Sequence, residues 1–107
     1  MPRWGKGGLL TDYRVFETDQ FQKDLQQIAR SGLPKLVNKL HEYVYPQLRS
    51  NPVWGTNIKR LKGGYSDTWR YRIGAWRFFY KIDEKRRIVY MLTASHRSSA
   101  YYSERLK

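Results

Sequence analysis

Residues 69–82 read WRYRIGAWRFFYKI, Trp69 to Ile82, and apolar and cationic side chains alternate on either side of Gly74-Ala75. A period of two around a two-residue turn led by glycine is the pattern of a β-hairpin. One face of this hairpin carries Trp69, Tyr71, Ile73, Trp76, Phe78, Tyr80 and Ile82, and the other carries Arg70, Arg72, Arg77, Phe79 and Lys81. The first face must be covered by other elements. The second sets Arg72 directly against Arg77, and like charges opposed on a sheet face are destabilising.

Working outward, the polar turn Asp83-Glu84-Lys85-Arg86 leads into the run from Arg87 to Ala94, which is apolar on both faces and so fits the centre of a sheet. Upstream, the segment between Asn51-Pro52 and Gly63-Gly64 reads as an exposed, partly irregular connection holding Lys59, Arg60 and Lys62. Before it lie two amphipathic helices. Asp19 with Gln22 resembles a capping box, Phe21, Leu25 and Ile28 recur at helical spacing, and Gly32 is the expected stop. Pro34 suits the first turn of the second helix, Leu36, Val37, Leu40, Tyr43 and Val44 form its apolar stripe, and Pro46 ends or kinks it.

Tyr13-Arg14-Val15-Phe16 is β-prone and supplies a first strand, while residues 1–10 read as a flexible basic arm. The order strand, helix, helix, then a three-stranded antiparallel meander gives an α+β fold. Its helical hairpin packs on one face of a mostly antiparallel sheet, in one domain over residues 11–107.

The chain has 107 residues, 21 Lys plus Arg against 9 Asp plus Glu, a net charge of +12, and no cysteine. Such a surplus steers polyanions in and makes their binding depend on salt. Disulfides, thiolate metal sites and Cys nucleophiles are excluded. No apolar run approaches the ~20 residues of a membrane span, and the N-terminal apolar stretch is too short for a signal peptide. A cytoplasmic protein with a nucleic-acid partner and no membrane partner is expected.

Three constellations carry possible chemistry. Arg70, Arg72 and Arg77 converge on a patch ~10 Å across, either as a seat for a phosphate held by planar guanidinium forks or as a solvated face whose arginines splay apart. His96, one of two histidines, stands just past the central strand with Arg97 beside it and Tyr101 beyond, as a candidate proton-transfer group or an ordinary surface histidine. Tyr101 is placed to stack on a base, donate a proton or pack. Lys59, Arg60 and Lys62 interleave with apolar residues in a segment that could grip a nucleic-acid backbone. His41 is expected to face outward. No metal-ligand spacing, serine triad or dinucleotide fingerprint is present, so no cofactor or metal is expected.

The order of elements and the local motifs resemble the RelE/ParE toxin superfamily of type II toxin-antitoxin systems. Leu61-Lys62-Gly63, the hairpin from Trp69 to Asp83, and Ser95-His96-Arg97 with Tyr101 carry the resemblance, which covers nearly all of Tyr13 to Tyr102. It implies a toxin that cuts mRNA in the ribosomal A site without a metal and is silenced by a cognate antitoxin in a hetero-oligomer.

By the same resemblance Arg72 and Arg77 stabilise the phosphate, Arg70 docks RNA or assists the base, His96 and Arg97 serve proton transfer and phosphate contact, and Tyr101 positions the scissile nucleotide. Lys59, Arg60, Lys62 and Lys81 join Arg70 as RNA-binding cations. The base is left between His96 and an arginine or lysine of depressed pKa. Strand register decides which of His96 and Arg97 faces the arginines: a four-residue turn at Asp83 to Arg86 places His96 there, and one residue more or less reverses it. Two other readings are a ParE-like gyrase poison without RNase activity and a non-catalytic RNA-binding module.

Overall fold

A computed structural model describes residues 12–62 and 67–98; the basic arm over residues 1–10, Gly63-Gly64 and Tyr101 lie outside the described residues. The hairpin forms as its alternation requires. Strand β3 (Trp69–Ile73) and strand β4 (Trp76–Asp83) are antiparallel, with Arg72 opposite Arg77 and Ile73 opposite Trp76. Gly74 takes φ 56°, the left-handed conformation that a two-residue hairpin turn asks of its first residue.

Among the described residues the sheet has five strands in the order β1-β5-β4-β3-β2, counting β1 (Arg14–Glu17), β2 (Ile58–Arg60) and β5 (Ile88–His96). Only β1 pairs in parallel, with β5. The meander is as expected, and β2 is an addition to it. Three residues of the connection, too few to show a period, pair with β3 as an edge strand.

The helices cover one face. Helix α1 (Asp19–Arg30) is capped by Thr18, whose Oγ1 accepts from the Phe21 N–H at 3.2 Å. The cap is therefore Thr18 rather than Asp19: the hydroxyl reaches the third amide from one residue earlier. The run from Pro34 is helical to Ser50 as α2 (Pro34–Lys39), a π turn (Leu40–Val44) and α3 (Tyr45–Ser50), so Pro46 neither ends nor breaks it. In the π turn the Tyr45 N–H bonds to the Leu40 carbonyl. This widening accommodates a proline that has no N–H to give. It also inserts a residue into the helical phase, so the stripe continues through Val44, Tyr45 and Leu48, while Tyr43, expected in the core, is 65% exposed.

Phe21, Leu25 and Ile28 of α1 and Leu40, Val44 and Leu48 meet Tyr71, Phe78, Tyr80, Val89 and Met91 of the sheet in one core. The Tyr80 hydroxyl, fully buried, donates to the Pro52 carbonyl at 2.6 Å and ties the following loop to the sheet.

One departure from regular pairing controls the orientation of the last residues of β5. Lys81 stands opposite Tyr90 and Tyr80 opposite Met91, but Phe79 stands opposite Thr93, so Leu92 is an extra residue in β5, a β-bulge. Asp24, buried in the apolar stripe of α1, holds this bulge. Its Oδ2 accepts from the Thr93 hydroxyl at 2.5 Å and from the Ala94 N–H at 2.9 Å, and its Oδ1 accepts from Gln20 at 2.9 Å.

Just before the N-terminus of α1, Glu17 accepts from the Tyr45 hydroxyl at 2.5 Å and sits 3.2 Å from His41 Nε2. Burial alone would raise the Glu17 pKa, but the hydrogen bonds from His41 and Tyr45 outweigh it and lower it. His41 faces outward as expected, and its pKa is raised, chiefly by the hydrogen bond to Glu17, against a smaller opposing effect of burial.

Asp24→Ala should lower unfolding free energy by about 3 kcal/mol in urea titrations, because it strands two buried donors. Because the folded pKa of His41 is raised above its unfolded value, its contribution to stability is complete below the ordinary histidine value near ~6.5 and is lost as pH rises through the folded pKa. NMR titration of His41 should show that elevated pKa, and Glu17→Gln should bring it down.

A cationic sheet face as candidate functional site

Residues paired across adjacent strands share a face, so the register fixes which side chains meet. On the side away from the helices, Lys59, Arg70 and Phe79 form one row, and Arg72, Arg77 and Ser95 form the next toward the hairpin tip, while Thr93, paired with Phe79 at the bulge, turns its hydroxyl to Asp24 of α1. Lys81 and Tyr90 form a third row on the other side of the bulge. The arginine face is therefore real, and Lys59 and Lys81 extend it. Arg60 does not belong to it. It pairs with Trp69, and its guanidinium lies 5.8 Å from that ring's centroid on the helix side. The alternation within β2 separates Lys59 from Arg60, two cations that adjacency in the sequence had grouped. Lys62 is exposed beyond the end of β2.

Arg70 is the most constrained member. Its Nε is buried with no hydrogen-bond partner among the described residues, an unusual state for a charged donor in a folded protein. Burial, and then the charges of Arg77 and Arg72, pull its pKa below the usual arginine value. Arg72 turns toward the hairpin tip, where its Nε donates to the Gly74 carbonyl at 3.2 Å. Among the described residues no carboxylate forms an ion pair with Arg70, Arg72 or Arg77. An oxyanion is the group that would relieve both the repulsion and the unmet donor.

The bulge at Leu92 decides the remaining placement. In the observed turn Asp83 pairs with Ile88, which preserves the parity that puts His96 on the arginine face. The extra residue then reverses it. Ser95 stands opposite Arg77, and His96 stands opposite Trp76, with the two rings edge-to-face at 5.3 Å. His96 thus lies on the helix side, in a cleft of about 210 Å³ that Asp24, Gln27 and Ile28 also line.

His96 Nδ1 lies 2.7 Å from the Ser98 hydroxyl and accepts from the Ser98 N–H at 3.2 Å. That acceptor role leaves the proton of the neutral ring on Nε2. Arg97 bonds through its N–H to the Ala75 carbonyl at 2.7 Å, and the alternation that turns His96 away leaves Arg97 on the arginine side. Tyr101 lies outside the described residues.

Sequence reasoning missed Ser95, because a bulge cannot be counted from a strand's period. It also missed Asp24, although a carboxylate between Phe21 and Leu25 within an apolar stripe was a usable signal. Among the described residues no group of three or more His, Asp or Glu side chains could hold a metal ion, and no helix is long and apolar enough to cross a membrane.

A family model described as ParE toxin of type II toxin-antitoxin system, parDE, matches residues 11–101. The RelBE2 toxin-antitoxin complex of Mycobacterium tuberculosis contains a chain 26% identical, with a TM-score of 0.68, the match covering 80% of this chain and 99% of that one. The archaeal RelE-RelB complex of Pyrococcus horikoshii gives 27% identity and a TM-score of 0.63 over 83% and 99% of the two chains. A mutant E. coli RelE toxin in its free state shares the fold at 16% identity and a TM-score of 0.63, over 89% and 95%. No curated protein sequence matches significantly.

An anion seated between Arg70 and Arg77 should stabilise the fold by mass action. Sulfate should therefore raise Tm more than sodium chloride at equal ionic strength, and Arg77→Gln should remove most of the difference.

Proposed function

The chain belongs to the ParE toxin family of type II toxin-antitoxin systems, within the RelE/ParE superfamily, and on that premise we propose that it is a ribosome-dependent endoribonuclease that cuts mRNA in the A site. The observation that carries the reading is the opposed pair Arg72 and Arg77, with Arg70 beside it holding a buried Nε that has no partner among the described residues. A gyrase-binding surface has no need of three converging cations, whereas a phosphate gaining negative charge does.

In the proposed reaction the ribose 2′-oxygen attacks the adjacent phosphorus. The O2′–P bond forms and the bond from phosphorus to the 5′-oxygen breaks, leaving a 2′,3′-cyclic phosphate and a 5′-hydroxyl. One proton leaves the 2′-hydroxyl and one reaches the departing 5′-oxygen, so the step balances without a metal or cofactor. Arg77 and Arg72 hold the non-bridging oxygens and offset the charge of the pentacoordinate phosphorus, and Arg97 approaches from the end of β5.

His96, turned toward Trp76, is suited in its imidazolium form to donate from Nε2 to the leaving group of a strand that crosses the tip of β5. The 2′-hydroxyl proton passes to water beside the arginine face, where Arg70 stays charged although burial and its neighbours lower its pKa, so rate enhancement rests on positioning and charge stabilisation.

A net charge of +12 suits both ribosomal RNA and an acidic cognate antitoxin that silences the toxin in a hetero-oligomer in the cytoplasm. The toxin domain spans residues 11–107, with residues 1–10 as a basic arm.

A second reading, a ParE-like gyrase inhibitor, draws support from the family description and from the position of His96 across the sheet from the arginines.

Adding the protein to a coupled translation reaction, with breaks in the message mapped and a gyrase supercoiling assay in parallel, separates the two. Message cuts that require ribosomes are the expected result, and intact message with inhibited supercoiling sinks the proposal. Arg77→Ala should slow cleavage by about 10²- to 10³-fold with an unchanged circular dichroism spectrum.

A further inference from the structure

The π turn leaves a large aromatic side chain, Tyr43, 65% exposed with no packing role to explain it. Tyr43 forms one wall of a cavity of about 200 Å³ between the helices and the tip of the β3–β4 hairpin, together with Lys39, Asn57 and Arg72, above Val44 and Gly74. We infer that this cavity is a nucleotide subsite for single-stranded RNA, one step along the chain from the phosphate held by the arginine face. The inference rests on the RNA-cleaving reading and adds to it the path of the substrate.

The chemistry of the lining argues for that occupant. An exposed aromatic ring offers a stacking surface to any base. The Asn57 amide carries both a donor and an acceptor suited to a base edge, and Lys39 supplies a cation for the backbone. Among the described residues no carboxylate lines the cavity, so the site is complementary in charge to a polyanion. Its volume lies below the about 300–1,000 Å³ of pockets that enclose whole small ligands. It suits one planar group of a longer chain.

Arg72 links the two sites. Its backbone pairs it with Arg77, its Nε reaches the Gly74 carbonyl at 3.2 Å, and its N–H bonds to the Asn57 carbonyl at 3.0 Å. The bent side chain borders both the cavity and the arginine row. π turns recur at functional sites, and here the turn is what holds Tyr43 out of the core and over the cavity.

The test uses fluorescence anisotropy of the whole protein with a fluorescein-labelled, uncleavable 2′-O-methyl oligonucleotide. Tyr43→Ala should weaken binding about tenfold, as expected for the loss of one stacked base, and Tyr43→Phe should stay within about twofold of the parent. Lys39→Gln should reduce the slope of log affinity against log salt by about one, and Asn57→Ala should alter the ratio of affinities for oligo-A and oligo-U probes.

Parent-like binding by Tyr43→Ala, with Arg77→Ala weakened, overturns the cavity and leaves the phosphate seat standing. The reverse pattern supports the cavity and moves the phosphate seat elsewhere. Parent-like binding by both variants removes the RNA reading and the inference with it. If Tyr43→Ala weakens only capture of a co-purifying protein partner, the cavity is a protein contact and the inference fails. Tyr43 is exposed, so Tyr43→Ala should unfold at the parent's Tm.

Discussion

The hydrogen bonds from Thr93 and Ala94 to the buried carboxylate of Asp24 set the geometry of the whole site. A bulge leaves backbone groups without their ladder partners, and a buried, unpaired N–H would be costly. Asp24 supplies the acceptor from the helix packed above, so the bulge at Leu92 is held in one place instead of sliding along β5. Everything beyond it inherits the reversed parity. Ser95 meets Arg77 and His96 meets Trp76, and Arg97 follows with its N–H on the Ala75 carbonyl.

The opposed arginines depend on a different part of the structure. Their repulsion acts on β3 and β4, whose other face buries Tyr71, Phe78 and Tyr80 in the core. Each such side chain contributes about 1.5–3 kcal/mol when fully buried, against an exposed like-charge pair worth about 0.2–1 kcal/mol. The hairpin can therefore carry an unfavourable face because its opposite face is heavily packed. A local rule is broken where the global fold can bear the cost, which is where function is expected.

How much could be read from the sequence depended on the range of the interactions involved. The hairpin register was legible because a glycine-led turn and a period of two are local, and the faces of Arg70, Arg72 and Arg77 came with it. The parallel pairing of Arg14–Glu17 with β5 is compatible with the mostly antiparallel sheet expected from the element order, which gave no direction for that strand. Strand β2 was not legible, since three residues beside an irregular loop carry too little pattern. Tyr43 was assigned to the core because a 3.6-residue period assumes that no residue is inserted. The orientation of His96 depended on a bulge fixed by Asp24, a partner 70 residues away from Ala94. Periodicity reports local geometry, and the misplacement of Tyr43 and the open orientation of His96 both arose where a proline or a long-range contact changed the count.

The two insertions act on the same end of the molecule. The bulge in β5 brings Ser95 and Arg97 to the arginine side of the hairpin tip, and the π turn brings Tyr43 over its helix side. Without the bulge, Ala94 would stand opposite Arg77 and His96 would lie on the arginine face one step beyond it, opposite Ala75. Without the π turn, Tyr43 would lie in the stripe with Leu40 and Val44, and the cavity would lose its stacking wall. Arg72 stands between the two, its guanidinium bent over Gly74. The hairpin tip is therefore where a chain of phosphates and bases meets cations on one side and an aromatic ring on the other. Two single-residue shifts in phase, each stabilised inside the core, produce that arrangement from elements that are otherwise regular.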